Sequence, residues 1–309
     1  MSTQRPIVIL GVFVADTSYR ATRQPRIGET VLGLGFALGP GGKGSNQAVA
    51  ASRLGADVSF ISRLGRDAFA EMAMRTWKEA GVRPLVIETP ESYTGAAYIF
   101  VEEGTGNNAI IVSPGAARLI SPDDIDLHAD AIRNAGVFIT QLEQPIAAAE
   151  RALSIARQAG VTTILNTAPA AELPADIYPK CDYVTPNETE TEIMTGLPVT
   201  TLEEARIAAD VLIGRGVGAV VVTLGEKGAL LHTRDASHHV PAFDAGAVVE
   251  TTGAGDAFNG GFAVALARGD DALSAVRFGC AVAAISVTRP GTAPSMPTME
   301  DVRALMGTA

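Results

Sequence analysis

The chain has 309 residues, 47% of them hydrophobic and 19% charged, and carries a formal net charge of −10 with a pI of about 4.9. This composition is typical of a compact folded enzyme and not of a disordered chain. Nucleic acids and anionic membranes bind basic surfaces, so the acidic balance argues against both as main partners. No apolar run approaches the roughly 20 residues of a membrane span, so we expect a cytoplasmic protein.

Cysteine and histidine usage points away from disulfides and zinc. The chain has two cysteines, Cys181 and Cys280, without a C-x-x-C pair, and its four histidines lack metal-ligand spacing. We therefore expect two free thiols in a reducing compartment and no zinc site.

Strand and helix patterns alternate along most of the chain. The predicted strands cover residues 7–14, 58–63, 136–141, 162–166, 183–185, 219–223 and 229–232. The predicted helices cover residues 45–54, 68–80, 146–159, 188–195, 202–215, 257–268 and 272–288. Continuous Val, Ile and Leu strands between helices are typical of a parallel sheet covered on both faces. The sequence predicts one doubly wound, mostly parallel α/β domain over residues 1–309, with helices on both faces.

Two segments break this alternation. Residues 20–38 and 93–112 carry β-branched and aromatic residues with glycine turns but no helical period. The second segment predicts a hairpin of residues 98–102 and 108–112. Together they predict a small β-sheet, from about residues 15–39 and 92–113, that serves as a lid over a site at the strand ends, as a dimer surface, or as both.

The first glycine-rich turn, residues 39–47, leads into a predicted helix. Its glycines let a ligand approach the backbone, and Lys43, Asn46 and Gln47 supply the donors that many-hydroxyl recognition needs. Residues 39–44 also match G-x-G-x-x-G, but no acidic residue ends a second strand about twenty residues on, as a dinucleotide site requires. Lys43 is followed by glycine and not by Ser or Thr, so the turn is not a Walker A loop.

Two carboxylates follow predicted strands, at the edge where parallel sheets bind ligands. Asp16 follows the first strand and Glu143 follows the third. Each can hold sugar hydroxyls, and each is also explained as an acidic residue that caps a turn.

Two further segments admit a structural and a functional interpretation. Asn187 and Glu190 open a predicted helix with ordinary helix-start chemistry. The alternative is that they face phosphates and a hydrated Mg²⁺. Residues 223–228 form a tight turn between two strands, which is either a plain hairpin or one edge of a nucleotide site.

The second small-residue turn, residues 251–260, carries the most specific chemistry. A glycine turn that enters a helix leaves backbone N–H groups unpaired, and with the helix dipole they form an anion site. Asp256 at its edge can take a proton from a hydroxyl that attacks a phosphate. An anion hole beside a base is what phosphoryl transfer to an alcohol needs. The alternative is an ordinary helix start with Asp256 as N-cap.

These motifs resemble those of the ribokinases, within the PfkB group of ribokinase-like carbohydrate kinases. Residues 41–48 resemble the family's sugar-binding glycine motif, and residues 251–260 resemble its second signature, with Asp256 in the place of the catalytic base. Residues 141–143 and 185–190 also match, so the resemblance runs over essentially the whole chain.

The resemblance implies ATP-dependent phosphorylation of a pentose, ribose at its 5-hydroxyl, with Mg²⁺ and a monovalent cation, usually K⁺. It places the sugar at Val14, Asp16, Gly42, Lys43, Asn46 and Glu143, and ATP at Asn187, Thr223, Leu224, Gly225, Glu226, Lys227, Gly228, Gly255 and Cys280. It places the anion hole at Gly253, Ala254 and Gly255, hydrated Mg²⁺ at Glu190, and the monovalent cation at Glu250, Thr252, Ser286, Arg289, Gly291 and Ser295. The two β segments become a sugar lid and the clasp of a homodimer.

Two departures from the family pattern concern specificity and the cation. Ribokinases carry Asn two residues before the sugar-binding Asp, where this chain has Val14, and an apolar residue cannot hydrogen-bond a hydroxyl. Similar 2-deoxyribose kinases also have an apolar residue there. Glu250 stands where the family usually has Asp, which leaves the dependence on K⁺ open.

The first hypothesis is therefore a kinase for ribose, followed closely by 2-deoxyribose. Other alcohols in the same family are a nucleoside, fructose or a keto-deoxy sugar acid, for which Arg20, Arg23 and Arg26 offer positive charge. A hypothesis of a different class is a sugar- or nucleotide-binding protein without turnover. A dehydrogenase using the first glycine turn ranks last.

Overall fold

The computed structural model describes residues 5–307. Its strands are β1 (Ile7–Leu10), β2 (Val14–Ala21), β3 (Gly35–Gly41), β4 (Val58–Leu64), β5 (Arg83–Glu88), β6 (Thr94–Glu102), β7 (Asn108–Gly115), β8 (Val137–Thr140), β9 (Thr162–Leu165), β10 (Tyr183–Val184), β11 (Ala219–Thr223), β12 (Ala229–His232) and β13 (Ser237–Val240). Its α-helices are α1 (Lys43–Arg53), α2 (Ala68–Ala80), α3 (Pro122–Leu127), α4 (Ala129–Arg133), α5 (Ile146–Gln158), α6 (Glu188–Thr195), α7 (Leu202–Gly214), α8 (Ala254–Arg268), α9 (Ala272–Ser286) and α10 (Met299–Met306). No helix in this part of the chain is long and apolar enough to cross a membrane.

Nine strands form the main sheet, in the order β13-β12-β11-β10-β9-β8-β1-β4-β5. The seven strands from β11 to β5 pair in parallel, while β12 and β13 add an antiparallel edge. Alternate side chains of a strand point to opposite faces, so Ile7 and Ile9 join one core and Val8 and Leu10 the other. Helices α1, α2, α8, α9 and α10 cover the first face, and α3 to α7 cover the second. The predicted doubly wound, mostly parallel fold is confirmed.

A separate four-stranded sheet has the order β3-β2-β6-β7. Strand β2 pairs antiparallel with β3 and parallel with β6, and β6 and β7 form the predicted hairpin. The first predicted β segment is shifted, because its strands cover Val14–Ala21 and Gly35–Gly41 instead of residues within 20–38. The prediction of a small sheet outside the main layer is confirmed.

The predicted first strand, residues 7–14, is longer than the strand in the structure. It ends at Leu10, and Val14 instead opens β2 of the small sheet. The chain turns at Gly11, where an added Cβ would lie 2.5 Å from Gln141 Oε1 and 2.7 Å from Gly44 Cα. Only glycine fits this close approach between the end of β1 and the start of α1.

Both functional helices begin earlier than predicted. Helix α1 starts at Lys43 with Gly42 as N-cap (φ 90°), and α8 starts at Ala254 with Gly253 as N-cap (φ 86°). Positive φ is readily available only to glycine, so each glycine turn is itself the helix cap. The short elements α3, α4, α10, β5 and β13 were not predicted, because their apolar patterns are brief.

Candidate active site

The site lies where the N-termini of α1 and α8 meet at the carboxyl edge of the main sheet. The two helices pack closely, since a Cβ added at Gly260 of α8 would lie 2.6 Å from the Cβ of Ala50 in α1. Small residues at this crossing bring the first turns of both helices, and their positive dipole ends, to one place.

Asp256 is buried in the first turn of α8. Its Oδ2 accepts a hydrogen bond from Asn46 Nδ2 (3.0 Å) and its Oδ1 accepts one from Gln47 Nε2 (3.1 Å). The N-cap alternative is wrong, because Gly253 caps this helix and no side chain bonds the cap. Burial raises the pKa of Asp256, while Lys43 and the two amides act in the opposite direction. The result is a buried carboxylate aimed at the space between the two helices, suited to accept a proton.

The backbone beside Asp256 offers unpaired donors. Within residues 5–307, the N–H groups of Gly255 and Asp256 have no hydrogen-bond acceptor, whereas the N–H of Ala254 donates to the Thr251 carbonyl at 3.1 Å. Free N–H groups at a helix N-terminus bind anions. Of the predicted anion-hole residues Gly253, Ala254 and Gly255, the N–H of Ala254 is thus already occupied, while Gly255 offers an open donor beside that of Asp256.

Four of the six predicted sugar-binding residues supply a polar cradle. Glu143 Oε2 accepts a hydrogen bond from the Lys43 backbone N–H at 2.8 Å, and burial raises the pKa of Glu143 to about 7. Burial, with Asp256 and Glu250 nearby, raises the pKa of Asp16 to about 6. Asn46 Oδ1 is buried and has no partner among the described residues. Such unmet groups fit a ligand that carries several hydroxyls.

Glycines make room for this cradle. A Cβ at Gly41 would lie 2.1 Å from Asp16 Oδ2, and one at Gly42 would lie 2.4 Å from the Val12 carbonyl oxygen. Val14, paired with Gly41 in the sheet register, is 3% exposed and packs in the apolar core. It offers no hydrogen bond at this corner.

The segments assigned to the nucleotide lie at the ends of β10 and β11. Asn187 and Glu190 form a capping box, with the Glu190 N–H donating to Asn187 Oδ1 (2.8 Å) and the Asn187 N–H to Glu190 Oε2 (2.9 Å). The helix-start interpretation is thus confirmed. A bridge pairs Asn187 with Thr223, which brings this turn beside residues 223–228. Those residues connect β11 to antiparallel β12, as the hairpin interpretation predicted. Cys280 is buried in α9, and burial raises its pKa to about 12, so the thiol stays protonated.

Of the residues assigned to a monovalent cation, Glu250 and Gly291 are joined directly by a hydrogen bond. Glu250 Oε2 accepts a hydrogen bond from the Gly291 N–H at 2.8 Å. Ser286 Oγ and Ser295 Oγ donate to carbonyls of their own turns, and Arg289 pairs with Asp301 at 3.1 Å. In the described part of the chain, no three His, Cys, Asp or Glu side chains cluster to hold a metal.

Sequence reasoning missed a buried layer of amides and hydroxyls behind Asp256. Its members are Gln141, Asn166, Thr185 and Asn259, all buried. The first three directly follow strands β8, β9 and β10. A polar residue directly after each of three strands was the sequence pattern that could have revealed this layer.

The fold and site together define a phosphotransferase that acts on an alcohol. The family model for pfkB family carbohydrate kinases matches residues 6–299, and the chain belongs to that family. It is 39% identical over 296 residues to a deoxyribokinase of Salmonella typhi, covering 95% of this chain and 96% of the relative. It is 38% identical over 300 residues to a ribokinase of Staphylococcus aureus, covering 96% and 98%. The structure of Arabidopsis thaliana ribokinase complexed with ribose and ATP superposes with a TM-score of 0.94 at 32% identity, covering 100% of both chains.

Proposed function

We propose that this protein phosphorylates the primary 5-hydroxyl of a pentose with ATP, with D-ribose as the first candidate. One observation carries the proposal: the buried carboxylate of Asp256 adjoins two unpaired N–H groups at the start of α8. The ribokinase relative from Staphylococcus aureus and the Arabidopsis structure with ribose and ATP support the substrate pair.

The reaction follows from the positions of these groups. Asp16, Asn46 and Glu143 hold the sugar hydroxyls, and Asp256 takes the proton of the attacking primary hydroxyl. The hydroxyl oxygen forms a bond to the γ-phosphorus as the bond to the ADP oxygen breaks. The N–H groups of Gly255 and Asp256, with the Lys43 ammonium, stabilise the charge on the transferred group.

We assign the nucleotide and the ions to the neighbouring segments. ATP lies along Asn187, residues 223–228, Gly255 and Cys280, and Mg²⁺ is placed through water by Glu190. When bound, Mg²⁺ neutralises charge on the phosphate oxygens. K⁺ would be held by Glu250, Thr252, Ser286, Arg289, Gly291 and Ser295, which flank the start of α8.

The second candidate substrate is 2-deoxy-D-ribose. Val14 leaves one corner of the cradle apolar, which suits a sugar that lacks a hydroxyl there. The 39% identity to a deoxyribokinase favours the same substrate. A sugar acid has less support, since Arg20 pairs with Glu103 at 3.5 Å and Arg23 is bound by Glu29.

The ratio of kcat/KM for D-ribose and 2-deoxy-D-ribose, measured with MgATP in K⁺ and again in Na⁺, tests the proposal. A preference for ribose supports the first candidate, and a preference for deoxyribose makes Val14 the specificity determinant. The matched variant Val14→Asn is expected to move the ratio toward ribose. Tight binding of sugar and ATP without turnover would instead indicate a sugar- and nucleotide-binding protein without catalytic activity.

We also propose that the protein is a cytoplasmic homodimer joined through the small sheet. Phe36, Leu38, Ile110 and Ile111 on this sheet are exposed, Ile111 by 66%. A second copy would cover this apolar surface. Light scattering during size exclusion tests this, and Ile111→Lys is expected to shift the mass toward one chain.

A further inference from the structure

A row of buried amides extends from the end of β8 to Asp256. Gln141 Nε2 donates to Gln47 Oε1 at 2.6 Å, and Gln47 Nε2 donates to Asp256 Oδ1 at 3.1 Å. Gln47 and Gln141 are both 0% exposed. The sequence predicted Gln47 as a donor to the hydroxyls of a ligand, but its amide is bonded to Asp256, Asn166 and Gln141 instead.

The Gln141 contact fixes which end of the Gln47 amide faces Asp256. If the Gln47 amide were reversed, its oxygen would face a carboxylate oxygen and its NH₂ group would face the Gln141 NH₂ group. Both contacts are repulsive. The side chain of Gln141 is itself confined, since a Cβ at Gly11 or Gly44 would lie 2.5 or 2.7 Å from Gln141 Oε1. These two glycines thus leave the space that the Gln141 amide occupies, and its Oε1 is buried without a partner among the described residues.

A second arm returns from Gln47 to the first turn of α8. Gln47 Nε2 also donates to Asn166 Oδ1 at 3.1 Å, and Asn166 Nδ2 donates to the Thr185 carbonyl at 3.0 Å. Thr185 Oγ1 donates to Asn259 Oδ1 at 2.7 Å, and Asn259 Nδ2 donates to the Gly255 carbonyl at 2.8 Å. The hydrogen bonds therefore form a ring that begins and ends on the turn carrying Asp256.

We propose that Gln141 and Gln47 are positioning residues for the base: Gln141 orients Gln47, and Gln47 holds Asp256 as a carboxylate facing the substrate. The inference rests on the proposed role of Asp256 in phosphoryl transfer. It adds two residues, neither of which touches the sugar or ATP in the proposed arrangement. A hydrogen bond that a carboxylate accepts favours its ionised form, and that form is the proton acceptor.

Several other charges act on the same carboxylate. Lys43 of α1 favours its ionisation, while Asp16 of β2, Glu143 after β8 and Glu190 of α6 oppose it. All four remain in place when Gln47 or Gln141 is replaced. A change in the titration of Asp256 then reports the missing amide and not a changed set of charges.

The test is the pH dependence of kcat for Gln47→Met, Gln141→Met and the matched control Gln144→Met. Gln144 is a buried amide of the same loop, but it donates to Thr140 Oγ1 and the Gln141 carbonyl and makes no hydrogen bond to Gln47 in the described part of the chain. Methionine keeps the length of the side chain without its donors. Loss of one hydrogen bond to a charged group is expected to move the acid limb of the Gln47→Met profile up by roughly one pH unit and to lower kcat about tenfold.

Gln141→Met is expected to move the acid limb in the same direction by less, with the KM for ATP unchanged. Gln144→Met is expected to keep the wild-type midpoint even if it lowers stability. If Gln47→Met does not fold, Gln141→Met still decides the question, because it acts on Asp256 only through Gln47. A wild-type midpoint in folded Gln141→Met, or an equal shift in Gln144→Met, would overturn the inference. Asp256→Asn is assayed in parallel to distinguish a failure of this inference from a failure of the proposed function. If Asp256→Asn kept nearly the activity of the wild type, Asp256 would not be the base and the proposed function itself would fail.

Discussion

The two glycine turns of this protein are built alike and are used differently. Each ends in a glycine N-cap with positive φ, 90° at Gly42 and 86° at Gly253, and neither cap is bonded by a side chain. Both helices therefore begin with open donors and a positive dipole end.

The two turns differ in how many of their backbone N–H groups already donate to an acceptor within the protein. In α1, the Lys43 N–H donates to Glu143 and the Ser45 N–H donates to the Val12 carbonyl at 3.3 Å, so the fold uses two of the first three helical donors and leaves the Gly44 N–H without an acceptor among the described residues. In α8, the N–H groups of Gly255 and Asp256 remain open within the described residues. The same local signal thus gives a rigid cradle at one helix and an anion site at the other.

Asp256→Asn is expected to have the largest effect. It keeps the shape of the α8 turn and removes the base, so kcat should fall by roughly 10²-fold or more while ATP binding is retained. Steady-state kinetics and calorimetric titration with ATP measure the two quantities. A kcat near that of the wild type would show that the start of α8 does not carry the catalytic base.

Alanine substitutions at the two caps compare the packing of the turns. A Cβ at Gly42 would lie 2.4 Å from the Val12 carbonyl oxygen, whereas one at Gly253 would first meet Thr292 at 3.4 Å. Gly253→Ala bears the strain of a left-handed helical residue (φ 86°, ψ −2°), about 1–2 kcal/mol. Gly42 (φ 90°, ψ 125°) lies outside that region, so Gly42→Ala bears a larger strain and adds an overpacking cost of about 1–3 kcal/mol. Urea denaturation should find Gly42→Ala the less stable variant. Equal losses would contradict the difference in packing.

Gly41→Ala and Gly39→Ala form a matched pair beside the α1 turn. A Cβ at Gly41 would lie 2.1 Å from Asp16 Oδ2, whereas one at Gly39 has nothing within 4 Å. Displacing the Asp16 carboxylate should raise the KM for the sugar about tenfold, the scale of one misplaced polar contact. Gly39→Ala should keep the wild-type KM. If the two variants behaved alike, Asp16 would not be a sugar-binding group.

Glu143→Gln tests the carboxylate that accepts the hydrogen bond from the Lys43 N–H at the start of α1, and the measured quantity is the free energy of unfolding. Burial raises the pKa of Glu143 from 4.5 to about 7, so the folded protein holds a proton that the unfolded chain releases. This contribution to stability is fully present below pH 4.5 and is lost as the pH rises through 7. Gln does not titrate, so the variant does not lose this stability as the pH rises, and its side-chain oxygen can still accept the hydrogen bond from the Lys43 N–H. Between pH 5 and pH 8 the variant should gain roughly 2–3 kcal/mol relative to the wild type, because the wild type loses about 1.4 kcal/mol for each pH unit between the unfolded and the folded pKa of Glu143.

Urea denaturation at the two pH values provides the measurement. A constant difference between the variant and the wild type would contradict the raised pKa. Sugar binding should weaken in the same variant, which makes Glu143 a residue kept for function at a cost in stability.

Local signals in the sequence predicted both turns, the parallel sheet and the small sheet. Glycine before a polar or small-residue run marks a helix start wherever it occurs, so residues 41–48 and 251–260 could be recognised. The break after Leu10 could not, because it depends on contact between Gly11 and Gly44 across the fold.

The amide row could not be predicted for a related reason. Gln141 and Gln47 are 94 residues apart, and Gln47 and Asp256 are 209 apart, so no local pattern records their contact. Their hydrogen bonds exist only once the strand ends and both helices have assembled.

The identity of the product tests the central claim most directly. Incubation with D-ribose and MgATP, followed by ³¹P and ¹³C NMR of the sugar, would locate the transferred phosphate. Our account predicts ADP and a pentose that carries phosphate on its primary 5-oxygen, and Asp256→Asn should form it more slowly by roughly 10²-fold or more. Phosphate on another oxygen, or no transfer to D-ribose or 2-deoxy-D-ribose, would contradict it.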